Sequence, residues 1–107
     1  MNCGDIYLVD LDDSKGHEQR GRRPALILGE ANGMEIVAPL TSNTNTACFS
    51  HTHVLDATKE NGLDMTSVVL VFQLVSLDRQ RFVHRVGTLS DFDLVAVDAL
   101  LKDLLKL

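Results

Sequence analysis

Most of the residues that could act on an anionic substrate lie in one polar stretch near the N-terminus. Residues 12–23, DDSKGHEQRGRR, contain no apolar side chain. The basic side chains of this stretch are Lys15, Arg20, Arg22 and Arg23. A guanidinium group can donate two parallel hydrogen bonds to phosphate oxygens and scarcely ever loses its proton, whereas His17 or Glu18 could accept a proton. These residue types indicate phosphate binding beside acid–base groups, although solvated loop charges are the alternative interpretation.

Two further polar residues stand at the end of, or inside, apolar segments. Thr41 follows an apolar run that ends at Leu40. Its hydroxyl could donate to a phosphate oxygen, or it could satisfy a turn at the end of a strand. Gln73 interrupts the most apolar stretch of the chain, so it is either a buried, hydrogen-bonded core group or a contact to the substrate. Both pairs of alternatives stay open on the sequence alone.

The spacing of histidine and cysteine does not favour a metal site. His51 and His53 would share one face of a strand and could bind zinc, but no third ligand lies at a recognisable spacing. His84 is interpreted as a surface or interface residue. Cys3 and Cys48 fit no metal or redox spacing, which favours reduced thiols in a cytosolic protein. We therefore do not expect a metal ion.

The acidic composition limits the kind of nucleic-acid binding that is possible. The chain has 10 Lys and Arg against 15 Asp and Glu, so its formal net charge is −5. Broad, non-specific binding to nucleic acid depends on many cations that neutralise phosphates. A small basic groove on an acidic body is still compatible with this composition.

Length and hydropathy predict a single cytoplasmic domain over residues 1–107. A chain of 107 residues has the length of one ordinary domain. No apolar run approaches the roughly 20 residues that a helix needs to span a bilayer. The N-terminus has neither the basic nor the apolar region of a signal peptide. We therefore expect no membrane segment.

Short antiparallel strands are predicted to position these residues. The first four strands are predicted at 5–11, 24–28, 34–40 and 51–56, from their β-branched and aromatic content. The Asn32-Gly33 pair favours a tight turn between the second and third strands. Residues 67–77 are predicted to form one strand, covered on its two faces by the core and by a second subunit. Residues 81–88 are predicted to pair with that strand through a short turn.

The C-terminal segment is predicted to be the one helix of the fold. Ser90 is a good N-cap, and Asp91 and Asp93 suit the positive first turn. Apolar residues recur at helical spacing at Leu94, Val97, Leu101 and Leu104. Many short strands followed by one helix predict a mainly β fold, either a strongly bent sheet or a partly open barrel.

Five blocks of sequence resemble the MazF/PemK family of toxins. In chain order they are GDIYLVDL at 4–11, GHEQRGRRPALIL at 16–28, PLTS at 39–42, GLD and SVVL within 62–70, and QLVSLD at 73–78. Each block alone is weak evidence, but the five occur in the family's order. The resemblance extends over residues 4–105 and includes the terminal helix.

The resemblance implies an SH3-like, partly open barrel that forms a homodimer. Family members cut single-stranded messenger RNA at short motifs without a cofactor, by attack of a ribose 2′-OH on the adjacent phosphate. The products carry a 2′,3′-cyclic phosphate and a 5′-OH. Each toxin is held inactive by a cognate antitoxin, and contact with operator DNA is expected only through that antitoxin.

The resemblance also assigns roles to individual residues. Arg23 matches the family's catalytic arginine and Thr41 its catalytic threonine. Glu18 and His17 are the candidate proton acceptors, because they lie in the polar stretch beside these groups. The expected RNA-binding residues are Lys15, Gln19, Arg20, Arg22, Ser42 and Gln73.

Three positions depart from the family pattern. Asp13 stands where proline is usual, Phe72 where an acidic residue is frequent, and Val75 where a basic residue is common. The last two changes remove expected contacts to RNA. They lend weight to a catalytically degenerate member that only binds an antitoxin or a DNA-bound repressor complex. A binding-only toxin of the same fold, of the gyrase-poison type, is a separate alternative. Arg23 and Thr41 favour the enzyme, because a gyrase poison needs neither.

Overall fold

The computed structural model describes residues 1–11 and 21–107. Within these ranges, seven strands precede one α-helix. The elements are β1 (Asp5–Asp10), β2 (Arg22–Ala31), β3 (Met34–Thr41), β4 (Thr52–Leu55), β5 (Ser67–Leu70), β6 (Val75–Asp78), β7 (Phe82–Thr88) and α1 (Asp91–Leu105). Short 3₁₀ helices lie at Thr44–Cys48, Val71–Gln73 and Arg79–Arg81. The predicted fold class, mainly β with a C-terminal helix, is confirmed.

All strand pairings in the sheet are antiparallel, and β3 lies at its centre. The strand order is β4-β5-β3-β2-β1-β7, and β6 also pairs with β3. One edge of β3 pairs with β2. Its other edge is shared, because residues 34–37 pair with β6 and residues 40–41 pair with β5. The sheet bends around this branch point and is not closed into a barrel.

The hairpin that joins β2 to β3 turns where the sequence predicts it. Asn32 and Gly33 have φ angles of 55° and 80°. Two consecutive positive φ angles define the tight turn that matches the twist of a β-hairpin, and Asn-Gly is the pair that adopts it most readily. The turn sets the register of β2 against β3 next to it, and an irregularity between Ile27 and Gly29 then shifts the register by one residue toward the far ends of the two strands.

Strand β2 begins two residues earlier than predicted. Arg22 and Arg23 pair with Asp10 and Val9 of β1, so they are strand residues and not part of the polar loop. Pro24, predicted to open the strand, is its third residue. The ladder with β3 runs from Ala25, so Pro24 lies where a missing N–H is tolerated. The two arginines are consequently held by backbone pairing.

Alternating residues of the central strands divide the core into two layers. Leu26 and Ala38 lie in the larger cluster, which packs against α1, whereas Ala25, Ile27 and Val37 lie in a second cluster on the other face. This division follows from the two-residue period of a strand, which points successive side chains to opposite faces. A sheet buried on both faces gives β2 and β3 a rigid setting.

The predicted strand at 67–77 is wrong as a single element. The chain leaves β5 after Leu70, forms a 3₁₀ turn at Val71–Gln73 and returns as β6. Because β5 and β6 pair with different halves of the same edge of β3, the chain must step between them. All four residues of β5 are buried within the single chain. A second subunit is therefore not needed to cover the two faces of this strand.

The predicted partner of β7 is also wrong. Residues Phe82–Thr88 pair with β1 at the opposite side of the sheet, and not with β5 or β6. Phe82 contacts Tyr7 edge-to-face at a ring distance of 5.7 Å, which helps to hold this pairing. A turn signal at 78–80 could not distinguish a local hairpin from a crossing to another strand.

Helix α1 begins and packs as the sequence predicts. The Ser90 side chain accepts a hydrogen bond from the backbone N–H of Asp93 over 3.1 Å. Val97 is fully buried, and Leu94, Leu101 and Leu104 pack beside it on the larger core cluster. None of the helices in the described ranges has the length and hydropathy needed to cross a membrane.

Candidate active site

A groove opens where the start of β2, the end of β3 and the segment before β5 meet. Its volume is ≈ 350 Å³. The residues that line it are Arg22, Arg23, Pro24, Leu40, Thr41, Ser42, Leu63, Asp64, Met65 and Ser67. The groove thus brings together four of the predicted site residues, Arg22 and Arg23 at the start of β2, Thr41 at the end of β3 and Ser42 directly after it.

The register of the sheet explains why Arg23 and Thr41 share this groove. Ala25 pairs with Pro39, and continuing this antiparallel register by two residues sets Arg23 level with Thr41. On its other side Arg23 pairs with Val9 of β1. Both residues therefore have positions fixed by strand pairing, which suits a site that must hold reacting atoms within a fraction of an ångström.

The hydroxyl of Thr41 is oriented by the turn that follows it. The backbone N–H of Asn43 donates to Thr41 Oγ1 over 3.1 Å. A hydroxyl that accepts this bond still has its own hydrogen to donate. The two interpretations of Thr41, a turn contact and a phosphate donor, are therefore compatible, because the turn contact leaves the donor available and limits where it points.

Arg22 and Arg23 give the groove a local positive charge on an acidic protein. Both side chains are exposed, and neither makes an ion pair within residues 1–11 and 21–107. Asp64 is the carboxylate on the groove lining, so the lining residues carry two positive charges and one negative charge. This arrangement agrees with a small basic groove on an acidic body.

The segment before β5 forms the third side of the groove and is held by one buried amide. The Asn61 side chain is 4% exposed. Its Oδ1 accepts hydrogen bonds from the backbone N–H groups of Thr58 and Leu63, and its Nδ2 donates to the carbonyl of Asp56. These three bonds satisfy most of the capacity of a buried amide and fix the path of the chain into the groove.

Close backbone contact with β7 fixes the same segment from behind. A Cβ atom at Gly62 would lie 2.1 Å from the carbonyl oxygen of Val86, and Gly62 has a φ of +68°. Beyond it, the buried Ser67 donates from Oγ to the carbonyl of Met65 over 3.0 Å. Side chains at 63–65 therefore project from a backbone that is held at both ends.

Gln73 is not part of the groove. It lies at the end of the 3₁₀ turn at Val71–Gln73 and is exposed, so the alternative of a buried core amide is wrong. The neighbouring Phe72 contacts Phe49 edge-to-face at a ring distance of 6.0 Å. A role for Gln73 in binding RNA stays a prediction.

Five predicted site residues lie outside the described residues. They are Lys15, His17, Glu18, Gln19 and Arg20. The two candidate proton acceptors, His17 and Glu18, are both in this group. The described part of the site consequently supplies positive charge and a hydroxyl donor.

The histidines considered for zinc bind helix α1 instead. His51 Nε2 lies 2.7 Å from Asp103 Oδ2, and His53 Nε2 lies 2.9 Å from Asp93 Oδ1. Among the residues that the structure describes, no three His, Cys, Asp or Glu side chains group together as metal ligands. These two contacts join β4 and the residue before it to α1, which is a structural role.

An ion pair between the buried Glu35, on the other half of β3, and the half-exposed Arg79 was not anticipated from the sequence. Glu35 is 2% exposed, and its Oε2 accepts a hydrogen bond from Arg79 Nε over 3.0 Å. Arg79 also bonds Glu30. The hydrogen bond to Glu35, followed by the charge of Glu30, raises the pKa of Arg79 above its ordinary value. The pair fixes the 3₁₀ turn after β6 to the β2–β3 hairpin.

The fold and the groove together define a small, mainly β protein with an arginine–hydroxyl site suited to a phosphate. Comparison with known proteins agrees with this class. A family model described as PemK-like, MazF-like toxin of type II toxin-antitoxin system matches residues 2–105. Endoribonuclease MazF of Staphylococcus epidermidis is 37% identical over 100 residues, which are 89% of this chain and 82% of that protein.

Two solved structures resemble the chain over its whole length. The crystal structure of MazF from Deinococcus radiodurans has a TM-score of 0.79 and 29% sequence identity, covering 100% of this chain and 97% of that one. The crystal structure of MazE-MazF from the same organism has a TM-score of 0.78 and 27% identity, covering 100% and 96%. The chain belongs to the family of PemK-like, MazF-like toxins of type II toxin–antitoxin systems, and it is a toxin endoribonuclease.

Proposed function

We propose that this endoribonuclease cuts single-stranded messenger RNA at a short motif without a metal ion, by attack of the ribose 2′-OH on the adjacent phosphate. The observation that carries the proposal is the shared groove of Arg23 and Thr41. A cation and a hydroxyl donor on adjoining strand ends can bind two oxygens of one phosphate.

The step exchanges one phosphorus–oxygen bond for another. The 2′-oxygen forms a bond to phosphorus as its proton passes to a base, and the bond from phosphorus to the 5′-oxygen breaks as that oxygen takes up a proton. A 2′,3′-cyclic phosphate and a 5′-OH result. Neither water nor an oxidant is consumed, so the site needs only an acid, a base and positive charge on the phosphate.

Arg23 stabilises the extra negative charge that develops on the phosphate in the transition state. A guanidinium scarcely ever loses its proton, so Arg23 serves as a charge stabiliser or proton donor and not as the base. Thr41 donates its hydroxyl hydrogen to a phosphate oxygen. Glu18 or His17 accepts the 2′-OH proton.

The remaining predicted contacts bind RNA on either side of the cut. Arg22 and Ser42 line the groove next to the two catalytic residues, so they suit the flanking phosphates. Lys15, Gln19, Arg20 and Gln73 are assigned to further RNA contacts. Because the basic lining is small, binding depends on few phosphates and falls only moderately with salt.

The protein partners follow from the family. The related MazF of D. radiodurans has been crystallised together with MazE. This toxin accordingly pairs with its own cognate antitoxin, and it reaches operator DNA only through that antitoxin. It acts as a homodimer, and messenger RNA as the substrate implies action in the cytoplasm.

End-group analysis of cut RNA tests the proposal. Purified protein is incubated with end-labelled single-stranded RNA in EDTA, and the new ends are assigned by their reactivity. We expect fragments with 2′,3′-cyclic phosphate and 5′-OH ends at discrete motifs. A requirement for a divalent metal, or products with 5′-phosphate ends, contradicts the mechanism. RNA left intact at high protein concentration favours a binding-only toxin.

A further inference from the structure

The third side of the groove carries two exposed side chains that the proposed chemistry does not use. Asp64 is exposed and Met65 is 56% exposed, and both line the groove with Arg23 and Thr41. Asp64 makes no hydrogen bond or ion pair within the described ranges 1–11 and 21–107. Neither side chain contributes a hydrogen bond or an ion pair to the part of the fold that the structure describes.

The strand order sets this pair apart from the arginines. Thr41 pairs with Val68 of β5 on one side, and on the other its strand is bonded to β2. Arg22 and Arg23 thus lie on one flank of Thr41, and the segment that leads into β5 lies on the other. RNA bound with a phosphate at Arg23 and Thr41 has the neighbouring nucleotide within reach of Asp64 and Met65.

The chemistry of the two side chains fits a base and not a phosphate. A carboxylate repels phosphate, but it accepts hydrogen bonds from the N–H groups of a base edge, as acidic residues do with the amino group of cytosine. The Met65 thioether is apolar and polarizable, so it can pack against the face of an unstacked base. The backbone under both is fixed by Asn61 and Ser67, which is the rigidity that discrimination requires.

We infer that Asp64, with Met65 as its apolar support, selects an RNA base that carries an exocyclic amino group next to the cleaved phosphate. Guanine, adenine and cytosine present amino hydrogens to the carboxylate, and guanine adds a ring N–H beside its amino group. Uracil presents one ring N–H between two carbonyl oxygens, which the carboxylate repels. Asp64 is thus a specificity residue, and its assignment rests on the proposed RNA cleavage at this groove.

Removing the charge of Asp64 should separate specificity from binding strength. The substitution Asp64→Asn keeps the size of the side chain, removes repulsion of phosphate, and adds an amide that can donate to a uracil carbonyl. We expect the preference against uracil at one motif position to fall about tenfold, the size of one base contact. KM for RNA should stay the same or fall. A merely structural role predicts loss of cleavage at all motifs alike.

The test measures kcat/KM on RNA oligonucleotides that differ at one base on either side of the cut. Wild type is compared with Asp64→Asn, with Met65→Ala, and with Glu60→Gln, which removes an exposed carboxylate outside the groove lining. Circular dichroism and thermal melting establish that each variant is folded. Met65→Ala should lower kcat/KM and keep the base preference, while Glu60→Gln should behave as wild type.

Each outcome decides the inference. A preference lost at one position in Asp64→Asn alone supports it. Unchanged preferences at every position overturn it and leave the proposed function standing. A folded Asp64→Asn that cuts no RNA also overturns it, because Asp64 would then belong to the chemistry. If wild type itself cuts none of the oligonucleotides or a long natural transcript, the proposed function fails and the inference fails with it.

Discussion

Arg23 and Thr41, at the adjoining ends of β2 and β3, line one groove. The arginine is fixed by pairing with Val9, and the threonine hydroxyl accepts the N–H of Asn43. Strand pairing thus places the residues that carry a charged donor and a neutral donor on adjoining strand ends before any substrate binds. Such preorganised donors are the feature that usually lowers the barrier most when charge develops on a phosphate.

Removal of the Thr41 hydroxyl should slow cleavage much more than it weakens the fold. We expect Thr41→Val to lower the single-turnover rate about 100-fold, the effect of losing one transition-state donor. Thr41→Ser keeps the hydroxyl and should stay within about fivefold of wild type, because only a methyl contact is lost. Thr46→Val is the matched control, because Thr46 donates to Asn43 in the same loop but does not line the groove. A Thr41→Val rate equal to that of Thr46→Val would remove the hydroxyl from the mechanism.

Loss of Arg79 should destabilise the protein because it leaves a buried acid without its partner. Glu35 is 2% exposed and accepts a hydrogen bond from Arg79. The comparison is the ion pair between Arg85 and Asp5, in which Arg85 Nε lies 3.6 Å from Asp5 Oδ1. Asp5 keeps a second partner, because its carboxylate also accepts the backbone N–H of Asn2. We expect Arg79→Ala to lower the urea midpoint of unfolding more than Arg85→Ala does. Urea titrations followed by circular dichroism measure both. Equal midpoints for the two variants would contradict a structural role for the Glu35 pair.

Asp93 should stabilise the junction of α1 with β4. Its carboxylate accepts hydrogen bonds from Ser90 Oγ over 3.0 Å and from His53 Nε2 over 2.9 Å. Asp93→Ala should lower the free energy of unfolding by about 1–2 kcal/mol, the range of a lost cap contact and hydrogen bond. Asp91→Ala removes an equal charge from the same helical turn and serves as control. The Asp93 interpretation is wrong if both substitutions lower the unfolding free energy equally.

The homodimer is predicted to form through the 67–77 region and the sheet edge beside it. Phe72 and Val75 are each 38% exposed in that region, where the family pattern has charged residues. Sedimentation should give a dimer at micromolar concentration, and Phe72→Asp should shift it towards monomer. Val83→Asp, on β7 at the opposite side of the sheet, should leave it dimeric. A wild-type monomer at this concentration refutes the prediction, and dissociation by Val83→Asp alone locates the interface elsewhere.

Local patterns predict the elements of this fold better than their connections. The Asn32-Gly33 turn and the Ser90 cap are local signals, and both are confirmed. The break in residues 67–77 has no glycine or proline to mark it, and it arises because β5 and β6 share one edge of β3. The partner of β7 depends on contacts distant in the chain, which periodicity does not contain.

Only part of the candidate site could be predicted, because the rest depends on contacts between residues distant in the chain. Arg23 and Thr41 were found through the family resemblance, and the register explains why they share a groove. Asp64 and Met65 were missed as groove residues, because their placement depends on the buried hydrogen bonds of Asn61. An Asn-Gly pair such as Asn61-Gly62 is typical of a turn, but the pair does not indicate what that turn faces.

The most direct test of the account compares the single-turnover cleavage rates of Arg23→Ala and Lys59→Ala. Each substitution removes one exposed positive charge, but only Arg23 lines the groove. We predict that Arg23→Ala folds normally and loses at least about 100-fold in rate, as expected when one charge-stabilising donor is removed. Lys59→Ala should cut at the wild-type rate. An Arg23→Ala variant that keeps more than about a tenth of wild-type activity would contradict the assignment of Arg23 to the chemistry. Such a variant would have raised the activation free energy by less than about 1.4 kcal/mol.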